Sequence, residues 1–220
     1  MLRDRFRRVP WGTVLAQGFA IFFSVVIAFA VDRLGEQERE AVLRETALRQ
    51  FLTEIRANRG YVAERLPYHT GRMEGFAALM QGPLPATFDE AAEQAGFQGP
   101  RWVGFSDVAW RTAQGTDVLP LLPYDLAGTL TQTYAIQEEV MRIQRDFTAV
   151  AIDPASYAGG NVSGGIRAAT TYFAIVVELE NTLLNYQYGR AEAAVAEALG
   201  EEISPDSTAP PAVPPPDTTR

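Results

Sequence analysis

The run from Trp11 to Val31 carries twenty-one residues without a charge. A helix rises about 1.5 Å per residue, so this length covers about 30 Å, the thickness of a bilayer's hydrocarbon core. From Val14 onward eleven of these residues are Val, Leu, Ile or Phe, each favouring mid-membrane by about 0.3–0.6 kcal/mol. The run is therefore read as a membrane span, with Trp11 at its interfacial end. In the preceding decapeptide, MLRDRFRRVP, four arginines against Asp4 leave a charge of about +3. The exit opens with Asp32, Arg33, Glu36, Glu38, Arg39 and Glu40, slightly acidic in sum. Positive charge is retained on the cytoplasmic side, which predicts a cytoplasmic N-terminus and export of everything after the span.

A cleavable signal peptide is the rival reading, because Ala28-Phe29-Ala30 is a small-x-small triplet of the kind signal peptidase accepts. Against it, the apolar run exceeds the usual signal core, and a helical pattern continues through the supposed cut into charged sequence. A buried helix of a soluble protein is the third reading. The expected partition is a basic head at 1–10, a transmembrane helix at 11–31, an exported helical domain at 32–203 and a proline-rich tail at 204–220.

The whole chain has a formal charge of −8, so the part beyond the basic head is more acidic still. That excludes nucleic acid as an expected partner and disfavours an anionic membrane surface as a docking site for the domain. All nineteen basic residues are arginine, a coding bias that is not read as function. With no cysteine, disulfides, thiolate metal sites and cysteine nucleophiles are excluded. A domain of this size buries a core without such staples.

The exported part has helical period almost throughout, and an all-α antiparallel bundle is the expected fold. Leu48, Leu52, Ile55, Val62 and Leu66 recur at helical spacings, with Glu45 and Arg49 on a solvated face. Pro67 is expected to kink or end this helix; Met73, Phe76 and Met80 then carry an apolar face to Gln81, before Gly82-Pro83. Thr87 opens a short helix of two or three turns. Arg101 to Phe105 reads as a loop pinned by its aromatics, since a lone strand has no sheet to join. Ser106 or Asp107 caps a short helix ended by Gly115. A long helix follows from about Tyr124 to Val150, closed by Asp153-Pro154. Gly159 to Gly165 is expected to be a flexible connection. The last helix runs from Ile166 to about Leu199, with Tyr172, Val176, Leu179, Leu183 and Tyr186 at the 4-3-4-3 spacing of a packed seam. From Ser204 the proline-rich tail lacks the apolar surface needed to order it.

The search for chemistry finds little. A carboxylate metal site in a bundle needs Glu-x-x-His pairs, and the single histidine, His69, has no glutamate three residues before it. Glu138, Glu139, Glu178 and Glu180 are read as solvated faces, and His69 as a surface residue rather than a general base. The glycine loop matches neither phosphate-binding spacing. No catalytic, cofactor-binding or metal residue is assigned. The residues singled out are Trp102, Phe105 and Trp110, read either as a satellite core under the long 82–105 loop or as an exposed patch that binds a partner. The latter is taken as the candidate site.

The span exit Val26 to Arg33, the stretch Phe51 to Asn58 and the block from Trp110 to Tyr134 resemble a family of uncharacterised bacterial membrane proteins. The resemblance implies one N-terminal span, a long helix leaving the membrane and a helical domain beyond it, and carries no activity or site. With the charge pattern, it places the chain in the bacterial cytoplasmic membrane with a periplasmic domain. The expected function is that of a non-enzymatic accessory or scaffold protein, tethered through residues 11–31 in lipid and holding a protein partner or larger membrane complex. The alternative is a periplasmic ligand-binding or sensory bundle.

Overall fold

The computed structural model describes residues 11–151 and 161–201. The head at 1–10, the Asp153-Pro154 helix stop, Gly159-Gly160 and the tail at 204–220 lie outside the described residues. Two compact units divide at Glu45 and Thr46. Every regular element among the described residues is helical, as the periodicity requires.

In the first unit the chain is the N-terminal part of α1, Trp11–Leu79. Its large apolar side chains from Leu15 to Val31 are exposed, at 45–67 % of their surface. Among the described residues this is the one helix long and apolar enough to cross a membrane.

The second unit contains the remainder of α1, the short helices α2 (Phe88–Gln94) and α3 (Val108–Gln114), a 3-10 turn at Leu119–Leu121, then α4 (Tyr124–Ala151), α5 (Val162–Thr182) and α6 (Tyr188–Leu199). Helix directions follow from side-chain pairs. Arg49 meets Glu201, Arg59 meets Glu192, His69 meets Glu180 and Phe76 packs on Phe173, so α5 and α6 run antiparallel to α1. Glu54 bonds Tyr134 and Asn58 bonds Gln137, so α4 runs parallel to α1. The segment from Met80 to Pro123, which includes α2 and α3, returns the chain to make that parallel pairing possible.

Pro67 neither ends nor interrupts α1. It lies on the exposed side, where the carbonyl deprived of its proline partner is left to water instead of being buried. Thr87 caps α2 as expected, accepting from the Glu90 amide at 3.2 Å, while the Glu90 carboxylate accepts from the Ala86 amide at 2.9 Å.

Two corrections concern the last helix. It begins at Val162, not Ile166, because Asn161 caps it by accepting from the Gly164 amide at 2.9 Å. It is also interrupted by a π segment at Leu183–Gln187. The extra residue in that turn rotates everything after it. Tyr186, expected on the seam, is 72 % exposed, and Gln187, Tyr188, Ala191 and Val195 face inward instead.

The core forms two clusters. One gathers Leu48, Phe51, Ile55 and Val62 of α1 with Leu126, Leu130 and Tyr134 of α4 and Leu183, Tyr188 and Val195 from the C-terminal helices. The other gathers Phe76 with Ala91 and Ala95 of α2 and Ile166, Phe173 and Val176 of α5. On α1 and on α5 alike, the residues between the two clusters in sequence include a buried charge-bearing side chain: His69 and Glu180.

Candidate functional site

The irregular segment from Phe97 to Asp107 has no strand or helix to absorb its backbone hydrogen bonds, and buried peptide groups need partners. Side chains of the long helices supply them. Tyr68 donates to the Gly99 carbonyl at 2.5 Å and accepts from the Gln98 amide at 3.1 Å. The Gln144 amide, oriented to satisfy both partners, donates to the Val103 carbonyl and accepts from the Val103 amide, each at 3.1 Å. Asn58 does the same to Ser106, donating at 2.8 Å and accepting at 3.0 Å. These two side-chain amides act as neighbouring strand edges for a segment that has none. Rings contribute to pinning this segment, but the amides and carboxylates set its backbone.

Glu54 is the second anchor. Its buried carboxylate accepts from the Ser106 hydroxyl at 2.7 Å, the Ala109 amide at 3.1 Å and the Tyr134 hydroxyl at 2.7 Å. Glu54 thereby caps α3 from another helix, which explains why Asp107, at the N-cap position, makes no side-chain cap bond. Asp107 instead pairs with Arg111 at 2.7 Å. Burial, followed by the Glu54 hydrogen bond and charge, pushes the Tyr134 hydroxyl far above the usual tyrosine range.

The third anchor overturns two expectations. His69 is not a surface residue and Glu180 is not on a solvated face: both side chains are fully buried. Nδ1 of His69 lies 2.8 and 2.9 Å from the two carboxylate oxygens of Glu180, and Nε2 lies 3.2 Å from the carbonyls of both Pro100 and Arg101. Carbonyls only accept, so Nε2 carries a proton and donates to them. Burial holds the Glu180 carboxyl above its usual range, opposed by the His69 hydrogen bond and charge. The pair is enclosed by Phe173, whose ring is 5.9 Å from the imidazole, and by Tyr68 at 5.7 Å.

The three residues singled out from sequence do not form one cluster. Phe105 is buried in the first core cluster. Trp110 is half-buried, stacked on Tyr134 at 5.1 Å and tilted against Phe51 at 6.4 Å. Trp102 is 37 % exposed and stands edge-on to Phe147 and Tyr172, at 6.4 and 6.2 Å. Beside these rings α4 and α5 form an open apolar groove of about 530 Å³, lined by Ile143, Phe147, Tyr172 and Ile175 and edged by Asp146 and Arg167. A second groove, of about 690 Å³, runs between α1 and α3 over Glu54, Ser106 and Val108. Among the described residues no three His, Asp or Glu side chains converge as metal ligands.

The signal for the buried pair was present in the sequence as a heptad. Ile55, Val62, His69 and Phe76 stand seven apart on α1, and Ile166, Phe173, Glu180 and Gln187 stand seven apart toward the C-terminus. A polar residue in such a stripe is buried with the rest of it.

No protein-family model, curated protein or solved structure matches this chain.

Proposed function

We propose that the protein is a membrane-anchored, non-enzymatic accessory or scaffold protein whose helical domain holds a protein partner on the periplasmic side. The observation that carries the reading is the exposed apolar surface from Leu15 to Val31. Bare apolar area of that extent marks a lipid or protein interface. The arginine-rich head before it and the acidic residues after it support the orientation, and the resemblance noted above supports the architecture. The side chains with acid–base chemistry, His69, Glu180 and Glu54, are occupied in holding the Phe97–Asp107 segment. That supports a rigid platform over a catalytic centre. Trp102 and the apolar groove beside it are the surface offered to the partner.

Two measurements test this. Alkaline phosphatase fused after Gly200 is expected to be active, and inactivity with an active cytoplasmic reporter at the same position reverses the topology. In mild detergent a partner should co-purify in fixed ratio, and Trp102→Ala should weaken its retention by about 1–2 kcal/mol or more, as removal of an interface anchor does. An unfolded Trp102→Ala domain would assign that ring to the core, and unchanged retention would remove it from the docking surface.

A further inference from the structure

Tyr68 carries two guanidinium groups. The Arg72 guanidinium carbon lies 5.0 Å from the ring centroid and that of Arg101 lies 4.4 Å from it, so the two charges are no more than about 9.4 Å apart. Like charges brought this close in a partly buried setting repel, and the attraction of each to the ring's face offsets that only in part. In this acidic domain Arg56, Arg59, Arg111 and Arg142 each face a carboxylate, whereas Arg145, Arg167 and Arg190 face none among the described residues. Arg72 and Arg101 face none among the described residues. Arg101 makes one side-chain hydrogen bond, to the neutral Gln98 amide oxygen at 3.1 Å. Arg72 makes none, and its buried Nε has no partner among the described residues.

The backbone is shaped to keep this arrangement. Arg101 has φ of 43°, the one positive value among the described non-glycine residues, and Gly96 and Gly99 have φ of 67° and 102°. A left-handed conformation costs a non-glycine residue about 1–2 kcal/mol, and such strain persists where its surroundings impose it. Here the surroundings are His69, whose Nε2 donates to the carbonyls of Pro100 and of Arg101 itself, and Glu180 behind it. At Gly96 a Cβ would come within 2.4 Å of an Arg72 guanidinium nitrogen. Glycine is thus what lets the Arg72 fork lie against the loop. Two helices and a strained loop converge to hold two cations, without a carboxylate among the described residues, on one ring, and Arg101 remains open to solvent.

We propose that Arg72 and Arg101, seated on Tyr68, form a binding site for an oxyanion, the shared chemistry of a carboxylate and a phosphate group, with His69 as the residue that positions Arg101. A planar guanidinium fork matches both groups. This site is independent of the apolar surface at Trp102 and of the partner reading.

The test follows the arginine Nε–Hε resonances of the full nitrogen-labelled chain in mild detergent. Sodium phosphate is titrated in one arm and sodium acetate in another, with sodium chloride at matched ionic strength as reference. The resonances assigned to Arg72 and Arg101 should shift and saturate. In Arg101→Ala the affinity should drop about tenfold or more, since a hydrogen bond to a charged group is worth at least about that factor. Arg111→Ala, which removes a carboxylate-paired arginine, should leave affinity unchanged. Saturation by phosphate alone assigns a phosphate group, by acetate alone a carboxylate, and by both an oxyanion in general. If chloride produces the same shifts, if neither anion saturates, or if Arg101→Ala binds as the parent does, there is no such site. Arg101 is exposed, so its truncation tests the site even where an Arg72 variant fails to fold.

Discussion

Replacing His69 by leucine removes the partner of a fully buried carboxylate while keeping an apolar side chain in the space. Removing one partner of a buried, hydrogen-bonded carboxylate costs up to about 3–5 kcal/mol, because what remains buried has lost its compensation. Glu180 has an escape that sets the pH dependence. Burial raises its folded pKa, and the opposing influence, the hydrogen bond and charge of His69, is gone in the variant. A group whose folded pKa lies above its unfolded value contributes stability that is fully present below the unfolded pKa, about 4.3 for glutamate. That contribution is lost as pH rises through the folded value. His69→Leu should therefore be nearest to the parent near pH 4 and fall behind as pH rises toward 7, by up to about 1.4 kcal/mol per pH unit for one proton. Urea unfolding followed by circular dichroism, on the full chain in one detergent across this range, reads the difference directly. The double replacement His69→Leu with Glu180→Leu removes both buried polar partners and should recover most of the loss at pH 7. A penalty for His69→Leu that is the same at pH 4 and pH 7, or a double variant whose cost is the sum of the single ones, would refute the coupling argued from the geometry.

The π segment gives a sharp contrast between neighbours: Leu183→Ala should cost about 2–5 kcal/mol through lost burial and a cavity, whereas Tyr186→Ala, on an exposed ring, should stay within about 0.5 kcal/mol; denaturant midpoints decide it. Burial pushes the Tyr134, Tyr172 and Tyr188 hydroxyls well above their usual range. Their contribution is complete below the unfolded tyrosine pKa of about 10 and is lost as pH rises beyond it, so stability should decline in alkali with a slope approaching three protons. Tyr134→Phe should reduce that slope by one proton and, by depriving the buried Glu54 of a donor, cost about 1–3 kcal/mol at neutral pH.

Most of the architecture was legible because it rests on period. Leu48, Leu52, Ile55 and Val62 are buried where the spacing placed them, and α4 has nearly the bounds its apolar side defined. The errors have physical causes. Pro67 carries a breaker's local signal, but its exposed position removes most of the cost. The glycines at 164 and 165 look like a linker, yet Asn161 caps the turn that contains them. The π segment has no signature in spacing: Tyr172 to Tyr186 continues a regular seam on paper, and only packing decides that one residue is spared and the register moves.

The polar anchors of the irregular segment were not legible as such. The length and the aromatics of the 82–105 region mark it as unusual, and the structure concentrates polar anchors on its second half and the residues just after it. What sequence reading missed is that a segment without regular structure needs donors and acceptors from elsewhere, and that these must come from polar residues inside helical seams. Asn58 and His69 on α1, Gln144 on α4 and Glu180 on α5 meet that need. Each stands in or beside an apolar stripe at helical spacing, where solvation cannot account for it. A polar residue in a seam is costly unless it is paired, so its presence there implies a partner segment, here the irregular stretch between α2 and α3. The same reasoning separates Phe105 from Trp102. Phe105 follows the pinned Val103 by two residues and turns inward with it, whereas Trp102, between the anchored Arg101 and Val103, is left facing outward on Phe147 and Tyr172. The exposure of that ring is thus fixed by the buried polar residues on either side of it.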